Sequence, residues 1–251
     1  WYHLMVGCMG VLGGIGILAS NLLWNPRMIR ALACGLSVLA LTLPLRGGGV
    51  QGPVQLREKD GRLRASLRDC VALLEPLDPA QPVAGPSKAV VIRTVGKQFI
   101  PRVALATPGT EVAFPNLDHI LHNVFSVTQG NRFDTGQYRP GDVPRVKVST
   151  PGLVKLYCNV HHQMNAFLWV VTTPFAQLLD GRSGVHFEGV PPGAYRLRLW
   201  HPEAGEKAWT LRVEGGITQG AWELQVSLPP IEPHKNKFGR DYPPLADDRN
   251  Y

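Results

Sequence analysis

Tyr157-Cys158-Asn159-Val160-His161-His162-Gln163-Met164 is the stretch on which the reading of this chain turns. It sets a thiol, two imidazoles and a thioether within seven residues. Val154-Lys155-Leu156-Tyr157-Cys158 before it and Ala166–Thr172 after it read as strands, and Pro151-Gly152 turns the chain into the first of them. A cysteine ending one strand, with His and Met on the connection to the next, offers three donors from one short loop. Thiolate, imidazole and thioether together suit a soft, redox-active metal.

The rest of the chain reads as scaffold for that loop. Its 251 residues suffice for one large domain or two smaller ones, and two is the preferred division. With 22 Pro and 27 Gly, and short Val, Leu and Phe runs alternating with turn clusters, the expected class is all-β, built as sandwiches. The formal charge is +7, but Lys and Arg are scattered and no RNP-like, zinc-finger or helix-turn-helix pattern accompanies them. Nucleic acid is therefore not an expected partner; an acidic protein or a membrane surface fits the charge better. Of the four cysteines, Cys8 and Cys34 lie in apolar leader sequence and Cys158 in the metal motif. That leaves Cys70 as a small buried hydrophobe with no disulfide framework around it. No Cys-x-x-Cys-His run exists, so covalent c-type haem is not indicated.

In chain order, Leu4–Leu23 is apolar and long enough to span a bilayer, and a second apolar run follows at Ala31–Leu45. Asn25-Pro26-Arg27-Met28-Ile29-Arg30 separates them, so Met28 opens a peptide with a short basic start and an apolar stretch of secretory length. Residues 1–27 then read as upstream translation or a membrane segment, and 28–50 as a signal peptide or anchor. Both readings take the body to the periplasm, free or anchored through its N-terminus and facing the periplasm. Residues 51–85 read as a β-strand appendage with a Pro-rich linker: a hairpin around Asp60-Gly61, a strand at Cys70–Leu74, then Pro76, Pro79, Pro82 and Pro86. Strands follow at Ala89–Thr94, Phe99–Ala106, Glu111–Asn116, His122–Val127 and Arg145–Val148. Thr107-Pro108-Gly109-Thr110 is a turn, and Thr128–Gly141 is a loop anchored by Phe133 and Tyr138.

The loop is incomplete by itself, and its remaining ligand has to come from elsewhere in the fold. His122, at a strand start after Asn116-Leu117-Asp118, can be folded to the same end as Cys158. His162 follows His161 directly; neighbours in an extended segment point apart, so its ring is expected in solvent, as is that of His119. A closed zinc site uses Cys, His and carboxylate, and Met at this spacing argues instead for copper.

Val112–Phe114, Asn116, Asp118, His122-Asn123-Val124, Pro151-Gly152 and Cys158-x-x-His161-x-x-Met164 together resemble the cupredoxin family of plastocyanin, azurin and amicyanin. The short Cys-to-Met loop is nearest to amicyanin. Phe114-Pro115-Asn116, His122–Ser126 and Trp200-His201-Pro202 resemble cupredoxin-like proteins labelled methylamine-utilisation protein. The resemblance implies a Greek-key β-sandwich over residues 86–173 holding one copper ion that cycles Cu(II)/Cu(I). Its implied ligands are His122, Cys158 and His161, with Met164 as the long axial one and Asn123 tying the loops together. Residues 174–228, with strands around Pro191-Pro192-Gly193, resemble the small transthyretin-like sandwich of carboxypeptidase regulatory modules, a binding or structural unit without catalysis. There His186 and His201 read as structural. Residues 229–251 read as an extended tail, with Phe238 and Tyr242 able to dock. The functional expectation is a one-electron carrier with redox partner proteins, against a copper chaperone or sensor. A copper enzyme is disfavoured, because no His-x-His pair occurs.

Overall fold

The computed structural model describes residues 47–78, 89–179, 184–231 and 233–242. The leader and most of the Pro-rich linker lie outside these residues. The described body is all-β.

The first three strands are β1 (Gly48–Gly52), β2 (Val54–Arg57) and β3 (Cys70–Pro76). Ten follow around the metal motif: β4 (Val90–Val91), β5 (Arg93–Val95), β6 (Gln98–Ile100), β7 (Val103–Ala106), β8 (Glu111–Ala113), β9 (Val124–Ser126), β10 (Phe133–Asp134), β11 (Arg145–Lys147), β12 (Gly152–Cys158) and β13 (Asn165–Val170). The last six are β14 (Ala176–Leu179), β15 (Val185–Val190), β16 (Gly193–His201), β17 (Gly205–Val213), β18 (Ile217–Gln219) and β19 (Trp222–Gln225).

The middle strands form the sandwich that carries the site. One sheet runs β10-β9-β12-β13-β7, with β13 and β7 parallel, and the other runs β11-β8-β4. Between them lies a core of Val112, Phe114, Val124, Val154, Leu156, Cys158, Ala166 and Leu168. The period-two alternation of β12 sends Val154, Leu156 and Cys158 into this core. Thr107–Thr110 is a turn as expected, closed by Thr110 N–H to Thr107 C=O at 3.1 Å, with Gly109 at φ 88° where a side chain would be strained. The expected single strand Phe99–Ala106 is instead two, β6 and β7. Pro101 has no N–H to give a ladder and interrupts it.

The N-terminal strands do not hang on this sandwich as an appendage. β3 lies between β14 and β16 in the sheet β14-β3-β16-β17, β1 between β15 and β18, and β2 beside β19. Residues 174–228 accordingly do not close a sandwich by themselves; they pair with β1, β2 and β3, and the strands β4 to β13 are inserted between β3 and β14. The expected hairpin at Asp60-Gly61 is short: it pairs Arg57 with Leu63 and is closed by Glu58 N–H to Arg62 C=O at 2.8 Å and Arg64 N–H to Leu56 C=O at 2.7 Å.

The composition of two strands follows from this nesting. In β3, Cys70, Ala72 and Leu74 enter the core of the outer sandwich, while Val71 and Leu73 face the other way. In β13, Ala166 and Leu168 face the inner core, while Phe167 and Trp169 face Val71, Leu73 and Trp200. Each strand is covered on both sides, so each reads as a continuous apolar run without alternation. The shared layer is aromatic: Trp200 meets Phe167 edge-on at 5.1 Å and Trp169 at 5.8 Å, and Arg198 lies 4.9 Å over Trp169. Such contacts add to simple burial. Cys70 is buried, and burial pushes its thiol pKa up to about 12, as befits a packing residue.

Candidate metal centre

β12 delivers Cys158 at its C-terminal end, where it pairs with Val124 at the start of β9. That pairing puts His122, two residues before β9, at the same end of the sheet. His122 is held by its own bridge to Tyr138, with backbone bonds of 3.2 and 2.9 Å. After Cys158 the chain turns tightly: Met164 N–H donates to His161 C=O at 3.0 Å, and Cys158 N–H to Met164 C=O at 3.2 Å. The turn brings the His161 ring back over Cys158.

Three donor atoms converge as a result. Cys158 Sγ lies 3.7 Å from His122 Nδ1 and 3.7 Å from His161 Nδ1, and all three lie within 4.8 Å of one another. Two donors about 2.0–2.3 Å from a common ion are 3.7 Å apart when the angle between them is near ~120°. Both S···N separations therefore suit a His₂Cys donor set. Met164 is buried in the same core cluster as Cys158. His122 and Cys158 are buried, and His161 is half-buried.

The surroundings prepare each donor. Asp118 Oδ2 accepts His122 Nε2–H at 2.8 Å, which fixes the proton on Nε2 and leaves Nδ1 free to coordinate. Burial lowers the His122 pKa, opposed by Asp118, so the ring favours the neutral form a ligand needs. Burial works against the charge on Asp118, but the N–H groups of Lys97 and Gly96 and the His122 ring together hold its pKa below the usual carboxylate value. For Cys158, burial raises the thiol pKa, while the backbone N–H groups of Asn123, His161 and Val160 favour the thiolate. Asn123 bonds two neighbouring segments: its C=O accepts Asn159 N–H at 3.0 Å, and its Nδ2 donates to Asp134 Oδ1 at 2.6 Å.

Four other histidines stand apart from these donors. His162 and His119 are exposed. The reason for His162 differs from the expected extended alternation, since residues 162–163 form a turn that carries the ring outward. His186 pairs with Glu188 at 2.9 Å on the surface, and His201 is buried with Nδ1 accepting Glu203 N–H at 3.1 Å. Two contributors escaped the sequence reading. Asp118 enters the sequence reading only as part of a pattern, although an acid four residues before a candidate ligand histidine is a signal for ring orientation. The other is His234, which bonds the His162 carbonyl beside Tyr242, the tail residue already expected to dock.

No protein-family model matches the sequence, and no curated protein matches it. Among solved structures, similarity is found to a copper-containing nitrite reductase from Thermus scotoductus SA-01 at 31% identity and TM-score 0.31, over 38% of this chain and 27% of that one. This chain thus spans about a quarter of that protein's length. A purple cupredoxin from Nitrosopumilus maritimus is similar at 22% identity and TM-score 0.29, over 32% of this chain and 98% of its own. A reduced Cu(I) amicyanin is similar at 17% identity and TM-score 0.31, over 39% of this chain and 97% of its own.

Proposed function

We propose that this chain is an extracytoplasmic blue-copper protein that passes single electrons between partner proteins, with His122, Cys158, His161 and Met164 as ligands of one ion. The observation that carries the reading is one buried cysteine sulfur with two imidazole Nδ1 atoms, each 3.7 Å from it. Copper, when bound there, supplies a Cu(II)/Cu(I) couple. The chain's own part is to resist change. His122 is clamped by Asp118, Cys158 sits at the end of a paired strand, and Asn123 locks its loop to Asn159. Donors held this way keep one geometry in both oxidation states, and little reorganisation favours fast transfer. His161 is the least buried of the three donors and offers the edge for exchange with a partner. The absence of a His-x-His pair favours a carrier over an enzyme. The apolar leader supports a periplasmic place, free or membrane-anchored.

The test is optical. Cu(II) added to the purified reduced protein is expected to give an intense visible thiolate-to-copper band that Cys158→Ser abolishes. No band in the wild type, or a band that survives in the serine variant, defeats the assignment.

A further inference from the structure

The Cys158–Met164 connection is held from outside its own sandwich by the far end of the chain. Tyr242 Oη donates to the Cys158 carbonyl at 3.0 Å, and His234 Nε2 donates to the His162 carbonyl at 2.8 Å. The His234 ring stacks on Tyr157 at 4.0 Å with 26° between planes, and meets Tyr242 edge-on at 5.3 Å. Lys237 N–H donates to Asn159 Oδ1 at 3.0 Å, while its Nζ pairs at 2.7 Å with Asp134, the carboxylate that also receives Asn123. Residues 157, 158, 159 and 162 are thus all touched by the tail, and His161 lies between the two tied carbonyls.

The segment is organised before it reaches the loop. Asn236 Oδ1 accepts the N–H groups of Phe238 and Arg240, Asn236 N–H donates to Arg240 C=O at 2.8 Å, and Lys235 pairs with Asp241 at 2.6 Å. A compact turn bearing His234 at one end and Tyr242 at the other presents both side chains to one target. Ordering it costs less at docking than ordering a free tail would.

We propose that residues 233–242 are a strap over the metal loop, with His234 and Tyr242 as positioning residues that limit access to Cys158 and slow the release of a bound ion. Only the second consequence rests on the copper reading; the first is a property of the metal-free protein.

The primary experiment alkylates the metal-free full-length protein at one pH and scores Cys158 and Cys70 separately by peptide mass. A net hydrogen bond is worth about a five-fold change in an opening equilibrium. Tyr242→Phe, which keeps the ring, and His234→Ala are each expected to raise the Cys158 rate about five-fold, and the double variant roughly twenty-fold. The rate at buried Cys70 stays unchanged. An unchanged Cys158 rate in the double variant overturns the strap, and so does a Cys70 rate that rises in step, because that reports general loosening. In the copper-loaded protein the same variants are expected to lose the ion to a chelator faster and to shift the thiolate-to-copper band. Wild-type release and an unmoved band overturn the positioning role. A wild type that takes up no copper defeats the proposed function instead, and the thiol comparison still decides the strap.

Discussion

Asp118→Asn probes the preparation of the site most directly. Asp118 Oδ2 takes His122 Nε2–H at 2.8 Å and Lys97 N–H at 3.0 Å, and Oδ1 takes Gly96 N–H. Three donors thus converge on two oxygens. An amide has one oxygen: turned to His122 and Lys97 it offers only a neutral acceptor and sets its NH₂ against Gly96 N–H, and turned the other way it loses the His122 bond. His122 has no exposed surface, so water does not replace a lost partner. A hydrogen bond to a charged acceptor contributes about 1.5–3 kcal/mol. As affinity, loss of the carboxylate behind a histidine ligand corresponds to roughly 10- to 100-fold weaker metal binding. Copper titration against a competing chelator measures this, with the visible band as the signal of an intact donor set. The expected result is weaker binding with the band retained, because Cys158 and His161 are untouched. An affinity within two-fold of wild type would refute the argument that Asp118 fixes the ring.

Two further predictions concern the scaffold. Burial lowers the His201 pKa from 6.5 to about 4, so between those values the unfolded chain takes up a proton that the folded chain refuses. Stability is therefore full above about pH 6.5, falls as the pH drops towards 4 and levels off below it, a loss on the order of 3 kcal/mol. Denaturant unfolding across pH 4–7 should show that step, and His201→Asn, though less stable throughout, should remove it; an unaltered step in the variant assigns it to other groups. Leu74→Ala, at a fully buried position of β3, should cost about 3 kcal/mol and loosen β14 and β16 together, as read by hydrogen exchange. Loosening confined to residues 47–78 would contradict the shared sheet.

How much of the fold could be read depended on whether partners were near in sequence. β12 and β13 are joined by the metal loop and alternate or run apolar in a recognisable way, so the sheet under the site was visible. Cys70–Leu74 was visible as a strand as well, but its place was not. Its partners begin at Ala176 and Gly193, about a hundred residues on, and a strand covered on both faces carries no alternation to say which sheet owns it. Residues 51–85 were therefore attached to the neighbour in sequence instead of the neighbour in space. The bond from Thr173 Oγ1 to Leu74 C=O at 2.6 Å marks where the chain leaves one sandwich and rejoins the other. A lone threonine gives no sequence sign of that.

The site divides along the same line. His161 and Met164 stand at short offsets from Cys158, so the loop shows them as candidate donors, while the full set with His122 comes from the resemblance. The tail is different. Its Pro-rich, mixed-charge composition looks like solvated chain, with Phe238 and Tyr242 both able to dock. The structure separates the two: Phe238 is 70% exposed, while the Tyr242 hydroxyl reaches the Cys158 carbonyl. The docking bonds at this surface go to polar backbone, the Cys158 and His162 carbonyls of the tight turn. Side chains combining an aromatic face with a donor, such as Tyr and His, can satisfy those carbonyls and cover the loop at once. Where a metal loop is short enough to turn on itself, the residues that steady it are therefore to be sought among distant tyrosines and histidines before distant phenylalanines.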